Sequence, residues 1–125
     1  MADEKEIDVK TIFASAARTA TTIGTSQTNK FHKGIVFTVD MTAVTATGSI
    51  VFTLQGYDSL STKWYTILAT AAITTVTPGT YSAFPGAPAT ANVSANFQLP
   101  KTWRIIATAA NGVSMTYSVS ADLLP

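Results

Sequence analysis

The sequence predicts an all-β protein, a two-sheet antiparallel β-sandwich of immunoglobulin-like or jelly-roll type with an extended N-terminal arm. Three observations predict it. Apolar residues recur with a period of two in short runs, as in GIVFTVDMT (34–42), where Ile35, Phe37, Val39 and Met41 alternate with Val36, Thr38, Asp40 and Thr42. No segment sustains the apolar period of about 3.6 residues that marks an amphipathic helix. Thr, Gly and Pro break the chain at short intervals, and roughly five to eight strands with one long crossing loop suit two packed sheets better than a closed barrel.

The N-terminus gathers Asp3, Glu4, Glu6 and Asp8, whereas Asp40, Asp58 and Lys63 are the only charged residues between Gly34 and Pro100. Residues 11–30, TIFASAARTATTIGTSQTNK, are rich in Thr, Ser and Ala, with one apolar cluster at Ile12 and Phe13. Branched Thr favours extended backbone, yet little in this run fills a core. Residues 1–30 therefore read as a partly flexible arm with at most one edge strand, and residues 31–125 as the sandwich domain. Ile12 and Phe13 are then candidates to fill a small pocket on a neighbouring subunit.

Beyond GIVFTVDMT, the run SIVFTLQGY (49–57) carries Ile50, Phe52 and Leu54 on one parity. Pairing 41 with 50, 39 with 52 and 37 with 54 places both apolar sets on one face of a hairpin closed by a four-residue loop, Val44 to Thr47. DSLST (58–62) is the next turn, where Asp58 is suited to local backbone hydrogen bonding. KWYTILATA (63–71) is apolar on both parities, Trp64 and Leu68 opposed to Tyr65 and Ile67, which implies cover on both faces or by another subunit. TPGT (77–80) has the Pro and Gly of a type II turn, and AFPGAPATANVSAN (83–96) reads as a long irregular connection between sheets.

The stretch NFQLPKTWRIIATAANGVSMTYSV (96–119) reads as a second hairpin. A three-residue loop, Ala110-Asn111-Gly112, pairs 109 with 113 and 103 with 119, with Gly112 in the left-handed conformation. This register collects Trp103, Ile105, Ala107, Val113, Met115, Tyr117 and Val119 on one face; a two-residue turn brings Arg104 and Thr108 there instead. Trp103 thus points into the core and Arg104 points out beside Ile106. Arginine is enriched at interfaces, so Arg104 and Ile106 join Trp64 and Tyr65 as candidate interface residues.

Composition narrows the function. Charged residues are 12% of the chain, against about 25% in ordinary globular proteins, and the net charge is +1. The basic stripe of a nucleic-acid binder is missing. Cysteine is absent, which excludes disulfides and thiolate metal sites. The single histidine, His32, has no nucleophile motif near it, and Asp40 and Asp58 occupy a polar strand position and a turn rather than a paired site. The sequence therefore offers no catalytic, cofactor-binding or metal-ligating residues, and a non-enzyme without cofactors is expected. Neither a signal peptide nor a long apolar run is apparent, so synthesis in a cytoplasm and no membrane partner are expected. Trp64, Tyr65, Tyr57, Tyr81 and Phe84 offer material for a sugar-stacking platform, although such rings more commonly serve cores and interfaces.

NVSANFQLPKTWRIIATAANGVSMTYSVSADLL (92–124), with DMTAVTATGSIVFTLQGYDSLSTKWYTIL (40–68), resembles a family of small virion proteins encoded among the structural genes of tailed bacteriophages. Those proteins share a threonine-valine strand pair, a KWYTIL-like strand, a proline-containing loop, an LPxTWR start and a TYSVSAxLL-like end. The likeness lies in the ordering of these runs, carries no site residues, and leaves residues 1–30 outside it. It implies a virion component, a capsid decoration or head accessory protein made in the host cytoplasm. Its expected partners are other virion proteins, above all the major capsid protein, and further copies of itself in a homo-oligomer. A tail-associated carbohydrate- or receptor-binding module is the alternative. Neutral Thr- and Ala-rich surfaces suit assembly, because burying an unpaired charge costs several kcal/mol.

Overall fold

The computed structural model describes residues 8–125, which form ten strands and no helix. In chain order they are β1 (Asp8–Arg18), β2 (Thr22–Ile23), β3 (Gln27–Thr28), β4 (Gly34–Val44), β5 (Ile50–Asp58), β6 (Lys63–Ala69), β7 (Thr77–Ala83), β8 (Ser94–Ala95), β9 (Thr102–Ala109) and β10 (Met115–Leu124). The first sheet has the order β1-β10-β4-β7-β8, antiparallel except for the β7–β8 pair. The second is antiparallel in the order β2-β9-β5-β6, with β3 also paired to β9. The two-sheet sandwich expected from the sequence is the observed fold.

Alternation along four strands builds the core between the sheets. Ile35, Phe37, Val39 and Met41 of β4 and Met115, Tyr117, Val119, Ala121 and Leu123 of β10 face Ile50, Phe52 and Leu54 of β5 and Trp103, Ile105 and Ala107 of β9, all at most 2% exposed. Tyr117 stands near the middle, edge-on to Phe52 at 5.0 Å and to Phe13 at 6.0 Å, geometries that suit the ring quadrupole. Its hydroxyl and the Trp103 Nε1 are buried without a hydrogen-bond partner among the described residues. Such a group contributes nothing to stability and carries its desolvation penalty, so Tyr117→Phe is expected to leave the unfolding free energy unchanged or to raise it by about 1 kcal/mol. Urea denaturation reads this directly, and a loss above about 1 kcal/mol would show that the hydroxyl is satisfied.

Neither expected hairpin forms. β4 lies between β10 and β7, with Val39 opposite Val119 and Gly79, while β5 lies between β9 and β6, with Leu54 opposite Ile105 and Leu68. The pairings 41–50, 39–52 and 37–54 are thus absent, and the two apolar sets instead line one core from opposite sheets. β9 and β10 also belong to different sheets, and Gly112 does not adopt a positive φ. The apolar faces are as expected, since a strand's pattern fixes which side is buried and not which strand lies beside it. The two segments expected to turn back instead cross between sheets and brace each other. Thr45 N–H donates to the Ser114 carbonyl at 3.2 Å, Ala110 N–H to Ser49 at 3.0 Å, and Asn111 Nδ2 to Thr47 at 2.8 Å.

TPGT is likewise not a turn but the start of β7, with Pro78 opposite Asp40 and Gly79 opposite Val39. β8 pairs only with Ser82 and Ala83, so β7 is an edge at Pro78, where the missing donor breaks no ladder. Gly79 lies beneath Tyr81, and a Cβ there would sit 2.6 Å from the Tyr81 hydroxyl, so a larger residue needs that ring to shift. The other punctuation holds. Asp58 accepts from Ser61 Oγ at 2.8 Å and Leu60 N–H at 3.2 Å, and these bonds hold its carboxyl below the usual range. Residues 83–96 connect the first sheet towards the second, as expected, and contain β8 on the way.

The division at residue 30 does not separate an arm from the sandwich among the described residues, and residues 1–7 lie outside them. β1 runs along β10 as an 11-residue edge strand, and β2 and β3 both pair with β9, so residues 8–30 contribute to both sheets. An edge strand needs backbone partners on one side and one apolar anchor, which Phe13 supplies at 6% exposure. Arg18 closes the strand. Its guanidinium lies 4.7 Å from the Tyr117 ring and 5.3 Å from Phe13, and donates to the carbonyls of Ala14 at 2.7 Å and Tyr117 at 3.1 Å.

Candidate assembly face

The outward parity of the second sheet places Gln55 and Tyr57 of β5, Arg104 and Ile106 of β9, and Trp64 and Thr66 of β6 on one surface. Register brings them together: Gln55 lies opposite both Arg104 and Thr66, and Tyr57 opposite Trp64. Cross-strand neighbours on one face stand within side-chain reach of each other. Arg104 crosses β5 to lie over the Trp64 ring, 3.9 Å from its centroid, and donates from Nε to Gln55 Oε1 at 2.9 Å. Tyr57 packs against the same indole, with ring centroids 4.8 Å apart. The next row is apolar, with half-buried Ile106 opposite Ile23, which is 60% exposed.

Two features make this patch more than a solvated surface. The guanidinium is fixed by a stack and a hydrogen bond, and its two Nη groups have no partner among the described residues. Partial desolvation lowers the pKa of Arg104 from its ordinary value, the direction expected when a cation leaves bulk water without gaining an anion. The only ion pair among the described residues is Lys10–Asp8, at 3.3 Å on the first sheet's edge strand. A planar, oriented fork with free donors is suited to a carboxylate or another planar oxyanion.

The structure divides the six candidate residues. Trp64, Arg104 and Ile106 share the face just described. Tyr65 lies on the other side of β6, over Gly56 and 6.1 Å from the Phe97 ring. Ile12 is partly buried against the core from β1. Phe13 is a core residue and is not available to a neighbour's pocket, because its ring already packs on Tyr117. The expected set misses Gln55, Tyr57 and Ile23. The alternation of SIVFTLQGY marks Gln55 and Tyr57 as outward, but their place beside Arg104 and Trp64 depends on pairings absent from the local pattern. Ile23 sits in a Thr-rich run without periodicity.

The groups weighed for chemistry do not converge. Asp40 is an exposed residue of β4 in the first sheet, and Asp58 ends β5 in the second. The backbone N–H of His32 donates to Asn29 Oδ1 at 2.9 Å within a tight local loop. The aromatic platform is also dispersed. Tyr81 packs on Phe37 in the first sheet at 5.3 Å, Tyr65 faces away from Trp64, and Arg104 occupies one face of the Trp64 indole. No family model, characterised protein or solved structure matches the chain, so the arrangement of its own residues carries the functional reading.

Proposed function

We propose that this protein is a non-enzymatic structural component of a tailed-bacteriophage virion, a decoration or head accessory protein that assembles on the particle through the outer face of its second sheet. The observation that carries the reading is the Trp64–Arg104–Gln55 array with its adjoining Ile106–Ile23 row. It is an aromatic and guanidinium anchor beside one half-buried and one exposed isoleucine. Aromatic residues and arginine are the residue types that dominate protein–protein hot spots. Likeness in the order of the 40–68 and 92–124 runs supports the virion context, and the low share of charged residues, 12%, favours close packing of subunits.

The test is a binding titration of the purified protein against empty capsids of the source particle, with a parallel screen on host surface glycans. Saturable capsid binding at fixed stoichiometry is expected, weakened at least tenfold by Arg104→Ala without loss of the fold. Glycan binding abolished by Trp64→Ala, with no capsid binding, would replace this reading by the receptor-binding one.

A further inference from the structure

Charge is divided along this chain in a way that the fold turns into a direction. Residues 1–8 hold Asp3, Glu4, Glu6 and Asp8 against Lys5 alone, whereas residues 9–125 hold seven Lys and Arg against three Asp. The acidic segment joins the sandwich at Asp8, on the edge strand of the first sheet, opposite Leu123. Arg104, whose guanidinium has no anionic partner among the described residues, lies on the outer face of the second sheet. One copy therefore carries an acidic segment at the edge of one sheet and an oriented guanidinium on the outer face of the other.

We infer that the Arg104 fork, backed by Trp64 and Gln55, is a carboxylate-binding contact that takes the acidic N-terminal segment, residues 1–7, of a second copy of this chain, linking copies head to tail. The inference rests on reading this face as an assembly surface and names its first occupant. A guanidinium seated over an indole and bonded through Nε to a side-chain amide is restrained before binding, so its Nη donors meet a carboxylate at reduced ordering cost. Ile106 and Ile23 supply apolar surface beside the fork, where Ile7, next to the carboxylates in sequence, can be covered. The contact joins unlike surfaces, so repeated in one direction it yields a ring or a chain, whereas reciprocal exchange of the segment closes a two-fold dimer; head-to-tail linkage is the first of these.

Sedimentation velocity on the full chain, over a concentration series and without capsids, tests this independently of particle binding. The wild type is expected to form species larger than a dimer at low salt and to dissociate as salt rises. Arg104→Ala is expected to weaken association at least tenfold, and the triple variant Asp3→Asn, Glu4→Gln, Glu6→Gln to do the same, each with a wild-type melting curve. The decisive sample mixes the two variants. Arg104→Ala retains the acidic segment and the triple variant retains the fork, so the mixture is expected to form dimers and to stop there. A wild type that stays monomeric or stops at a dimer at every concentration, variants that associate like the wild type, or a mixture that remains monomeric would each overturn the inference. Any of these leaves the capsid titration free to succeed, so failure here and failure of the assembly reading are separable.

Discussion

Trp103→Ala is expected to destabilise the protein by about 3–5 kcal/mol, a fall in melting midpoint on the order of 10–20 °C. Trp103 is 0% exposed and is among the largest fully buried side chains. It sits between Gln27 and Gly56 on the neighbouring strands and points between the two sheets. The inner face of β9 is rigid, since Ile105 and Ala107 are also fully buried, so little can move in to fill the void. Arg104→Ala, one residue along, is expected to cost less than about 1 kcal/mol, because it removes a stack on the outer face of the sheet. Urea unfolding of the two variants side by side measures the parity of β9 in solution. Comparable losses in both, or a larger one for Arg104→Ala, would mean that the strand does not present these faces.

That parity is the part of the structure most legible in the sequence. Alternation in GIVFTVDMT, SIVFTLQGY and TWRIIATA assigns the buried side of β4, β5 and β9 correctly, because burial of one sheet face acts on every second residue whichever strand lies alongside. Neighbours are not legible in the same way. Met41 and Ile50 fit equally well as partners in one sheet and as residues that line one core from opposite sheets. The choice is made by crossing loops whose stabilising bonds, such as Asn111 to Thr47, join positions far apart in sequence. TPGT shows the same limit. Its Pro and Gly fit a turn locally, yet an edge position opposite Asp40 and Val39 accommodates both.

The candidate face was legible by residue type and less so by assembly. Arg104, Ile106 and Trp64 emerge from parity together with the enrichment of such residues at interfaces. Gln55 emerges only once β5 is known to run between β9 and β6, since its role is to hold a guanidinium from the next strand. Residues 8–30 are less legible still. A Thr- and Ala-rich run lacks the apolar content for a core of its own, but an edge strand draws most of its stability from the ladder it joins.

Phe13→Ala is therefore the sharpest test of how residues 8–18 are held. The expected loss is about 3 kcal/mol, the low end for a buried phenylalanine, because the site is at the border of the core and can partly collapse. Phe13 is the one buried residue of β1, and it also supports Arg18, whose guanidinium lies over its ring. Removing the ring thus weakens both the apolar anchor and the clamp on the Ala14 and Tyr117 carbonyls. Ile12→Ala, on a side chain packed only at the periphery, is expected to cost less than about half as much. Trypsin gives a local readout beside the global one. In the wild type, Arg18 is paired with Met115 at the end of β1 and is expected to resist cleavage until the whole domain opens. In Phe13→Ala the strand is expected to open by itself, with cleavage after Arg18 at least tenfold faster while the tryptophan fluorescence of the remaining domain stays native. Rapid cleavage after Arg18 in the wild type would show that β1 is not held by the sandwich in the free chain, and that Phe13 is free to seek a partner elsewhere.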